Sequence, residues 1–273
     1  MSLFRCPHCA APLLREARVY RCPNRHSFDV AREGYVHLLP ANKKHSADPG
    51  DDKAMVAARA RFLEGGWYAP LREELCRLAL THTDGAPAVV DAGCGEGWYT
   101  RGLFDALRAT GRQPRLAGVD LSRAALKRAA RRVSEGEFAV ASVYHLPMAD
   151  GAAHLLLDCF APLALDEYRR VLAPGGVFLY VVPAPRHLFE LKGVLYDNPY
   201  ENPEENTQYE GFGQLARAEV DYSMDISDGQ TLLDLFHMTP YAWKTPKEGV
   251  ERLSRLEGLS VTAAFHIHVF QKR

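Results

Sequence analysis

The stretch PAVVDAGCGEGWYT, residues 87–100, joins an apolar run to three glycines at every second position and then to the start of a helix. The apolar run predicts a buried strand, and the glycines predict a tight turn whose backbone can approach a ligand closely. A helix that begins after such a turn offers its N-terminus to a carboxylate or phosphate. We therefore predict that Asp91, Gly93, Gly95 and Gly97 lie at a ligand site beyond the carboxyl end of this strand.

Strands and helices alternate along the chain that follows this turn. Further strands are predicted in RLAGVDLS (115–122), GEFAVASVYHLPMAD (136–150), AAHLLLDCFAP (152–162) and GVFLYVVPAP (176–185). Helices are predicted in SRAALKRAARRV (122–133) and in ALDEYRRVLAPGG (164–176), where Pro-Gly-Gly is the stop signal. This order predicts an α/β domain with a mostly parallel sheet covered on both faces. The alternating C-terminal segment, residues 259–273, predicts an edge or antiparallel strand.

An acid, Asp120, ends the second strand and lies 29 residues beyond Asp91. A carboxylate at this place can accept hydrogen bonds from both ribose hydroxyls of NAD or of S-adenosyl-L-methionine. A dehydrogenase also needs a later acid/base set and a second domain, and we find neither in the sequence. Together with the HLPM loop (145–148) and DEYRRVLAPGG (166–176), the pattern over residues 85–185 resembles class I S-adenosylmethionine-dependent methyltransferases, whose fold is Rossmann-like.

The first forty residues carry three cysteines and a histidine in the pattern Cys6-x2-Cys9-x12-Cys22-x3-His26. Two knuckles of this kind form a closed tetrahedral site suited to Zn²⁺, and four protein ligands leave no position for a catalytic water. So short a module buries little core, so the metal would supply folding energy. His8 is a competing ligand inside the first knuckle, and reduced cysteines without a metal are the alternative interpretation.

Charge is unevenly distributed between this module and the rest of the chain. Residues 1–46 carry +5, which with a net charge of −1 leaves −6 on the remainder. A basic module on an acidic body is typical of substrate recruitment, although a solvated small domain shows the same asymmetry. No apolar run approaches 18 residues and the N-terminus lacks the apolar core of a secretory signal, so we expect a cytoplasmic protein. We predict three regions: a zinc-binding domain (1–40), a linker with helices (41–84) and a methyltransferase domain (85–273).

Several further segments narrow the resemblance to one family. They are the zinc module, FDVAREGYVHLL (28–39), GWYAPLR (66–72), PAPRHLFELKG (183–193) and MTPYAW (238–243). In this order they resemble the bacterial RlmA family of 23S rRNA (guanine-N(1)-)methyltransferases over nearly the whole chain. The resemblance implies 23S rRNA as partner, a homodimer, and methylation of guanine 745 or 748 in the loop of hairpin 35. The segment YENPEENTQYEGF (200–212) favours the 748 branch, which is linked to resistance to tylosin-type macrolides.

The resemblance also implies roles for individual residues. The zinc ligands would be the three cysteines and the histidine of the N-terminal pattern. The predicted methyl-donor contacts are Tyr68, Asp91, Gly93, Gly95, Glu96, Gly97, Asp120, Leu121, Ser142 and His187. Two of these have plain alternatives: Tyr68 as a core aromatic residue and His187 as a helix cap.

Guanine N1 carries a proton that must leave during methyl transfer, so a base or a polarised carbonyl contact is expected. The predicted fourth strand ends in DCFAP (158–162), where methylases of exocyclic amines often have an Asn/Asp-Pro-Pro-aromatic stretch. The departure favours a ring nitrogen as acceptor. We predict that Phe160 stacks on the flipped base, with a core position as the alternative. Asp158 is the candidate base, although strand alternation could also turn it away.

Two other functions stay open from sequence alone. One is a small-molecule methyltransferase, for instance acting on quinones, whose zinc module only stabilises the fold. The other is an RNA- or protein-binding module that has lost methyl transfer. The intact glycine-rich turn and Asp120 argue against this second alternative. Methyl-transfer assays on unmodified 23S rRNA and binding of S-adenosylmethionine discriminate between them.

Overall fold

A computed structural model describes residues 2–40, 50–204 and 207–273. Its N-terminal part forms a small antiparallel sheet of three strands, in which β2 lies between β1 and β3. The bounds are β1 (Leu14–Glu16), β2 (Val19–Arg21) and β3 (Ser27–Asp29). Two hairpins of three-residue strands bury very little by themselves, as expected for a module stabilised by a metal.

A second sheet dominates the described part of the chain. Its strand order is β10-β11-β9-β8-β5-β6-β7-β4, and the strands from β9 to β4 all run parallel. The bounds are β4 (Tyr35–His37), β5 (Ala88–Ala92), β6 (Arg115–Asp120), β7 (Glu137–Val140), β8 (Ala153–Cys159), β9 (Leu172–Pro183), β10 (Phe212–Ile226) and β11 (Leu259–Lys272). This is the predicted class I methyltransferase topology, with β5 at the point where strand order reverses.

The C-terminal strand β11 is antiparallel to β9, as predicted, but it is not at the edge. It lies between β9 and β10, and it pairs with β10 over almost its whole length. The edge position belongs to β10, which the sequence analysis did not identify. Every second residue of β10 from Ala218 to Ile226 is apolar and packs in or against the core, whereas the residues between them are exposed. This alternation is the period of a strand with one face in solvent.

Helices connect the strands and begin where the sequence supplies caps. The Asp52 carboxylate accepts hydrogen bonds from Ala54 N and Met55 N, and the Ser122 hydroxyl accepts one from Ala125 N. The bounds are α1 (Lys53–Glu64), α2 (Ala69–His82), α3 (Trp98–Ala109), α4 (Arg123–Arg132), α5 (Leu165–Val171), α6 (Phe189–Leu195), α7 (Gly229–His237) and α8 (Lys247–Ser254). Among the described residues no helix is long and apolar enough to span a membrane.

The helix predicted over residues 164–176 is shorter than expected. Helix α5 ends at Val171, and strand β9 begins at Leu172 and runs through the Pro-Gly-Gly segment. A residue that precedes proline is disfavoured in the helical region, which pushes Ala173 towards extended backbone before Pro174. The stop signal therefore acts before the proline rather than at the glycines.

The two faces of the large sheet are covered differently. Helices α1–α4 and α6–α8 cover one face, whereas the N-terminal module and α5 cover the other. The connection from β7 to β8, residues 141–152, contains no helix, and Phe4 bridges to Met148 there. The Tyr20 hydroxyl donates to Glu137 at 2.9 Å, so the N-terminal module occupies the place of a crossover helix.

The predicted boundary at residue 40 stays a prediction. Strand β4 precedes that boundary in sequence, yet it pairs with β7 in the large sheet rather than with the small one. The chain therefore enters the large sheet before it reaches the predicted linker.

Candidate functional site

The glycine-rich turn between β5 and α3 has the backbone that its sequence predicts. Gly93 and Gly97 have φ angles of 85° and 78°, in the left-handed region that favours glycine. A Cβ atom on Gly93 would lie 2.4 Å from Ala161 Cβ, and one on Gly97 would lie 2.9 Å from Ala129 Cα. The turn thus needs glycine both for its conformation and for its packing, which holds it against the carboxyl edge of the sheet.

Asp91, at the end of β5, lies beneath this turn. Its side chain is buried and accepts a hydrogen bond of 2.5 Å from the Thr100 hydroxyl of α3. Burial, helped by the neighbouring carboxylates Asp120, Asp158 and Glu96, raises the pKa of Asp91 to about 7, against the opposing effect of the Thr100 hydrogen bond. A carboxyl group in this state gains a favourable interaction when a cation binds nearby.

Asp120 joins the turn to the next helix. One of its oxygens accepts from Gly95 N at 2.9 Å, and the other accepts from Ser122 N at 2.7 Å. Burial raises its pKa, while the two amide hydrogen bonds and the positive charge of Arg59 oppose the rise. Each oxygen of a carboxylate has two lone pairs, so Asp120 keeps acceptor capacity for a pair of ribose hydroxyls.

Two other predicted donor-site residues lie beside this acid. Leu121 follows Asp120 directly and packs partly buried against the core. Ser142 follows β7, pairs with His145 in an isolated bridge, and accepts a hydrogen bond from Tyr144 N. Both residues therefore lie after the carboxyl ends of neighbouring parallel strands, the edge at which the ligand site was predicted.

Tyr68 and His187 meet at the other end of the site. The Tyr68 hydroxyl lies 3.4 Å from His187 Nε2, and Ala264 N donates to His187 Nδ1 at 3.2 Å. Burial and the charge of Lys192 lower the pKa of His187 to about 3, so the ring is neutral. Because Nδ1 accepts a hydrogen bond, Nε2 carries the proton and donates to Tyr68, which leaves the Tyr68 hydrogen available to a ligand.

An aromatic residue that the sequence analysis missed connects these groups. The ring of Phe265, on β11, lies 4.6 Å from His187, 4.9 Å from Tyr68 and 5.7 Å from Phe160, measured between centroids. The alternation of the C-terminal strand predicted an inward-facing residue here, but not that it would face the donor site. Phe160 lies outermost: it is 45% exposed and has a φ of 65°.

The candidate base Asp158 has different surroundings from those predicted. Its side chain is completely buried, and its oxygens accept from Tyr168 Oη at 2.8 Å and from Ala161 N at 2.9 Å. These contacts hold the turn that presents Phe160 to solvent. They favour a structural role, and a role of Asp158 as general base stays a prediction.

The predicted zinc ligands converge in the N-terminal module. Sγ of Cys6 lies 3.4 Å from His26 Nδ1, and Sγ of Cys9 lies 3.4 Å from Cys22 Sγ and 3.6 Å from His26 Nδ1. All four ligand atoms lie within 4.8 Å of one another. Tetrahedral Zn²⁺ with bonds of about 2.0–2.3 Å separates its ligands by roughly 3.5–3.8 Å. The cluster therefore fits a structural zinc ion.

Amide groups around the cluster support thiolate ligands. Asn24 N lies 3.4 Å from Cys22 Sγ, and Asn24 Nδ2 lies 3.4 Å from Cys9 Sγ. The competing ligand His8 does not join the cluster; its ring stacks on Phe28 with centroids 5.8 Å apart. His26 is thus the fourth ligand, through Nδ1.

Comparisons with known proteins agree with this description. Residues 4–47 match the family described as RlmA, N-terminal, a zinc ribbon, and residues 89–176 match a methyltransferase domain family. The chain is 46% identical over 195 residues to the 23S rRNA (guanine(748)-N(1))-methyltransferase of Streptomyces fradiae, covering 70% of this chain and 67% of the relative. It is 35% identical to a Micromonospora griseorubida protein named as a candidate 23S rRNA (guanine-N(1)-)methyltransferase, covering 96% of this chain and 95% of that protein.

The fold and the two sites define a class I, S-adenosylmethionine-dependent methyltransferase with an N-terminal zinc ribbon. The chain belongs to the RlmA family of 23S rRNA (guanine-N(1)-)methyltransferases. The predicted fold class, the resemblance to this family, and the assignment of S-adenosylmethionine and Zn²⁺ are thereby confirmed.

Proposed function

We propose that this protein transfers a methyl group from S-adenosylmethionine to N(1) of guanine 748 in the loop of hairpin 35 of 23S rRNA. The observation that carries the choice of 748 is the 46% identity to the Streptomyces fradiae enzyme whose name specifies that position. The segment of residues 200–212, which favoured the same branch in the sequence analysis, is consistent with it.

The donor would lie between the glycine-rich turn and the Tyr68–His187 pair. S-adenosylmethionine supplies a methyl group on a sulfonium centre, so the chain mainly has to orient the donor and the acceptor. Asp120 would accept the ribose hydroxyls, Asp91 would face positive charge on the donor, and Tyr68 would donate its free hydroxyl hydrogen. The remaining predicted contacts would come from residues at the same edge of the sheet, namely Glu96, Leu121, Ser142 and the three glycines.

The target guanine would enter over Phe160. This ring is exposed at the carboxyl end of β8, next to Phe265, and a left-handed φ holds it there. Non-glycine residues in such a conformation concentrate at functional sites, because the strain persists only where the surrounding structure enforces it. Sequence-specific RNA readers stack unpaired bases on aromatic rings of this kind.

The zinc ribbon would hold the RNA through its phosphates. Arg18 and Arg25 are exposed on the ribbon, and Arg25 lies in the knuckle between Cys22 and His26. Lys43 and Lys44, which we expect to add to this basic surface, lie outside the described residues. The homodimer and the macrolide resistance implied by the family resemblance also stay predictions; light scattering of the purified protein and tylosin susceptibility of an expressing strain test them.

Hairpin 35 transcripts that differ at single guanines test the proposal. The purified protein and labelled S-adenosylmethionine are incubated with the unmodified hairpin and with hairpins in which guanine 745 or guanine 748 is replaced by adenine. We expect loss of incorporation only with the 748 replacement, and nuclease digestion followed by mass spectrometry should identify 1-methylguanosine. Incorporation that depends on guanine 745 would assign the protein to the other branch.

A further inference from the structure

An arginine outside the predicted site, Arg59 on α1, lies over the glycine-rich turn. Its Nε donates to Glu96 at 2.8 Å, and its Nη1 donates to Asp51 at 2.5 Å. A Cβ atom on Gly95 would lie 3.5 Å from Arg59 Nη2, so the guanidinium also packs on the backbone of the turn. The sequence separates Arg59 from Glu96 by 37 positions, and only the fold brings them together.

The second partner, Asp51, is itself attached to the donor site. Its carbonyl oxygen accepts a hydrogen bond of 2.7 Å from the hydroxyl of Ser122, two residues beyond the acid that ends β6. Gly50, with a φ of 85°, packs so closely on Ser122 that a Cβ atom there would lie 2.7 Å from its amide nitrogen. Residues 50–52 are therefore seated on the N-terminus of α4, immediately before α1 begins.

Charge around Arg59 is nearly all negative. The Glu96 side chain is 3% exposed and that of Arg59 is 22% exposed, so the pair is largely removed from water. Burial alone would lower the pKa of Arg59, but Glu96 and Asp51 raise it above its usual value. Arg59 also counteracts the rise in the pKa of Asp120. Without it, three carboxylates would face one another in a poorly solvated space, which is strongly unfavourable.

We infer that Arg59 is a positioning residue for the methyl donor. It fixes the carboxylate of Glu96 and the backbone of the turn, and through Asp51 it links both to the segment that follows the zinc ribbon. The inference concerns donor binding, so it does not depend on which guanine is methylated.

Arg61 supplies a matched control on the same helix. Its guanidinium forms a bidentate ion pair with Asp234 of α7, at 2.6 and 2.7 Å, away from the donor site. Calorimetry should show that Arg59→Met raises the dissociation constant for S-adenosylmethionine by about tenfold or more, which corresponds to roughly 1.4 kcal/mol. In Arg61→Met the same constant should change by less than about twofold. Arg59→Lys keeps the charge without the forked geometry and should restore part of the affinity. Thermal unfolding of all three variants verifies that they are folded at the temperature of the titration.

A comparison of donor and product separates positioning from general destabilisation. S-adenosylmethionine carries a sulfonium charge that S-adenosylhomocysteine lacks. In Arg59→Met the uncompensated carboxylates still attract that charge, so the affinity for S-adenosylhomocysteine should fall more than that for S-adenosylmethionine. Asp51→Asn removes a negative charge and should shift the ratio in the opposite direction. Equal losses for the two ligands in Arg59→Met, or an equal loss in Arg61→Met, would overturn the inference. Because the titrations contain no RNA, this result is independent of the hairpin assay.

Discussion

Asp91 combines burial with an acidic neighbourhood, and its pKa of about 7 leaves it partly protonated at neutral pH. The donor brings an ammonium and a sulfonium group, which favour the ionised carboxylate. We therefore predict that donor binding at pH 7 releases up to about half a proton from Asp91. Calorimetric titrations in buffers of different ionisation enthalpy measure this release directly.

The control for this prediction is Asp91→Asn, which preserves the size of the side chain and removes its titration. Proton release should fall in this variant, and the remaining affinity should vary less between pH 6 and pH 8. The same proton release in Asp91→Asn as in the unaltered protein would show that another group titrates on donor binding.

Phe160 offers a test in which stability and activity move in opposite directions. A left-handed φ costs a non-glycine residue about 1–3 kcal/mol, so Phe160→Gly should relieve strain and leave the melting temperature unchanged or higher. Stacking of a base on an aromatic ring contributes about 1–3 kcal/mol, so kcat/KM for the hairpin should fall by roughly 5- to 150-fold. Phe160→Trp should retain most of the activity, and donor affinity should not change in either variant. A melting temperature that falls together with activity would instead assign Phe160 to the core.

At the scale of elements, the sequence contained clear signals for most strands of the large sheet, including one strand that was not predicted. Strands β5 and β8 are apolar runs next to clear turn or helix signals. The glycine-rich turn marks the carboxyl end of β5 and so indicates the direction of the parallel strands. Strand β10 is an edge strand whose solvent side carries Arg217, Glu219 and Asp221, and these residues alternate with apolar ones from Ala216 to Ile226, so its period of two was a strand signal that the prediction omitted. The three residues of β4 are too few to show a pattern.

The donor site divides in the same way. Asp91, the glycines and Asp120 follow one another around the carboxyl ends of two strands, so local motifs were sufficient to predict that they lie together, while their contacts with the donor stay a prediction. Phe265 and Arg59 come close to this candidate site from elements distant in sequence, and their positions depend on how β11 and α1 pack. A single sequence does not show that packing, since the local pattern around an apolar strand residue or a helix arginine is the same whether or not the side chain comes near the site.

Helix α6 contains a lysine that no helix motif explains. Lys192 is completely buried, and its Nζ donates to Tyr200 O at 3.0 Å and to Asn202 Oδ1 at 2.7 Å. The same ammonium lies 4.6 Å from the centroid of the Tyr200 ring. Because Asn202 N in turn donates to Pro185 O, this lysine attaches residues 200–202 to the end of β9.

We predict that Lys192→Met destabilises this attachment. Each charged hydrogen bond contributes about 1.5–3 kcal/mol, so the free energy of unfolding should fall by a comparable amount, and exchange of the Asn202 amide hydrogen should accelerate. Hydrogen exchange followed by mass spectrometry measures the second effect locally. The exposed Lys247 serves as the control, since Lys247→Met should alter neither quantity. Unchanged protection at Asn202 would mean that other contacts hold the segment.

At the scale of the whole molecule, the zinc ribbon and the methyltransferase sheet share one apolar layer. Cys6, Cys22 and Tyr20 are buried in the same cluster as Val90 and Val119 of the central strands. Backbone contacts reinforce this layer, since Arg5 N donates to Pro147 O at 2.7 Å. The ribbon thus completes the sheet face that lacks a crossover helix, and its folding should be coupled to that of the sheet.

This coupling predicts how loss of zinc affects the protein. Calorimetry should show one unfolding transition, and His26→Ala or a strong chelator should shift that transition downwards as a whole, by about 2–4 °C for each kcal/mol lost. Cys76→Ala, which removes a thiol outside the zinc cluster, should retain its zinc content and the strong response to the chelator. Well below the transition, His26→Ala should still bind S-adenosylmethionine while methylating the hairpin poorly, because the main predicted donor residues lie on β5, β6 and the opposite sheet face. A separate low-temperature transition in His26→Ala, with the main one unmoved, would show that the shared layer does not couple the two parts.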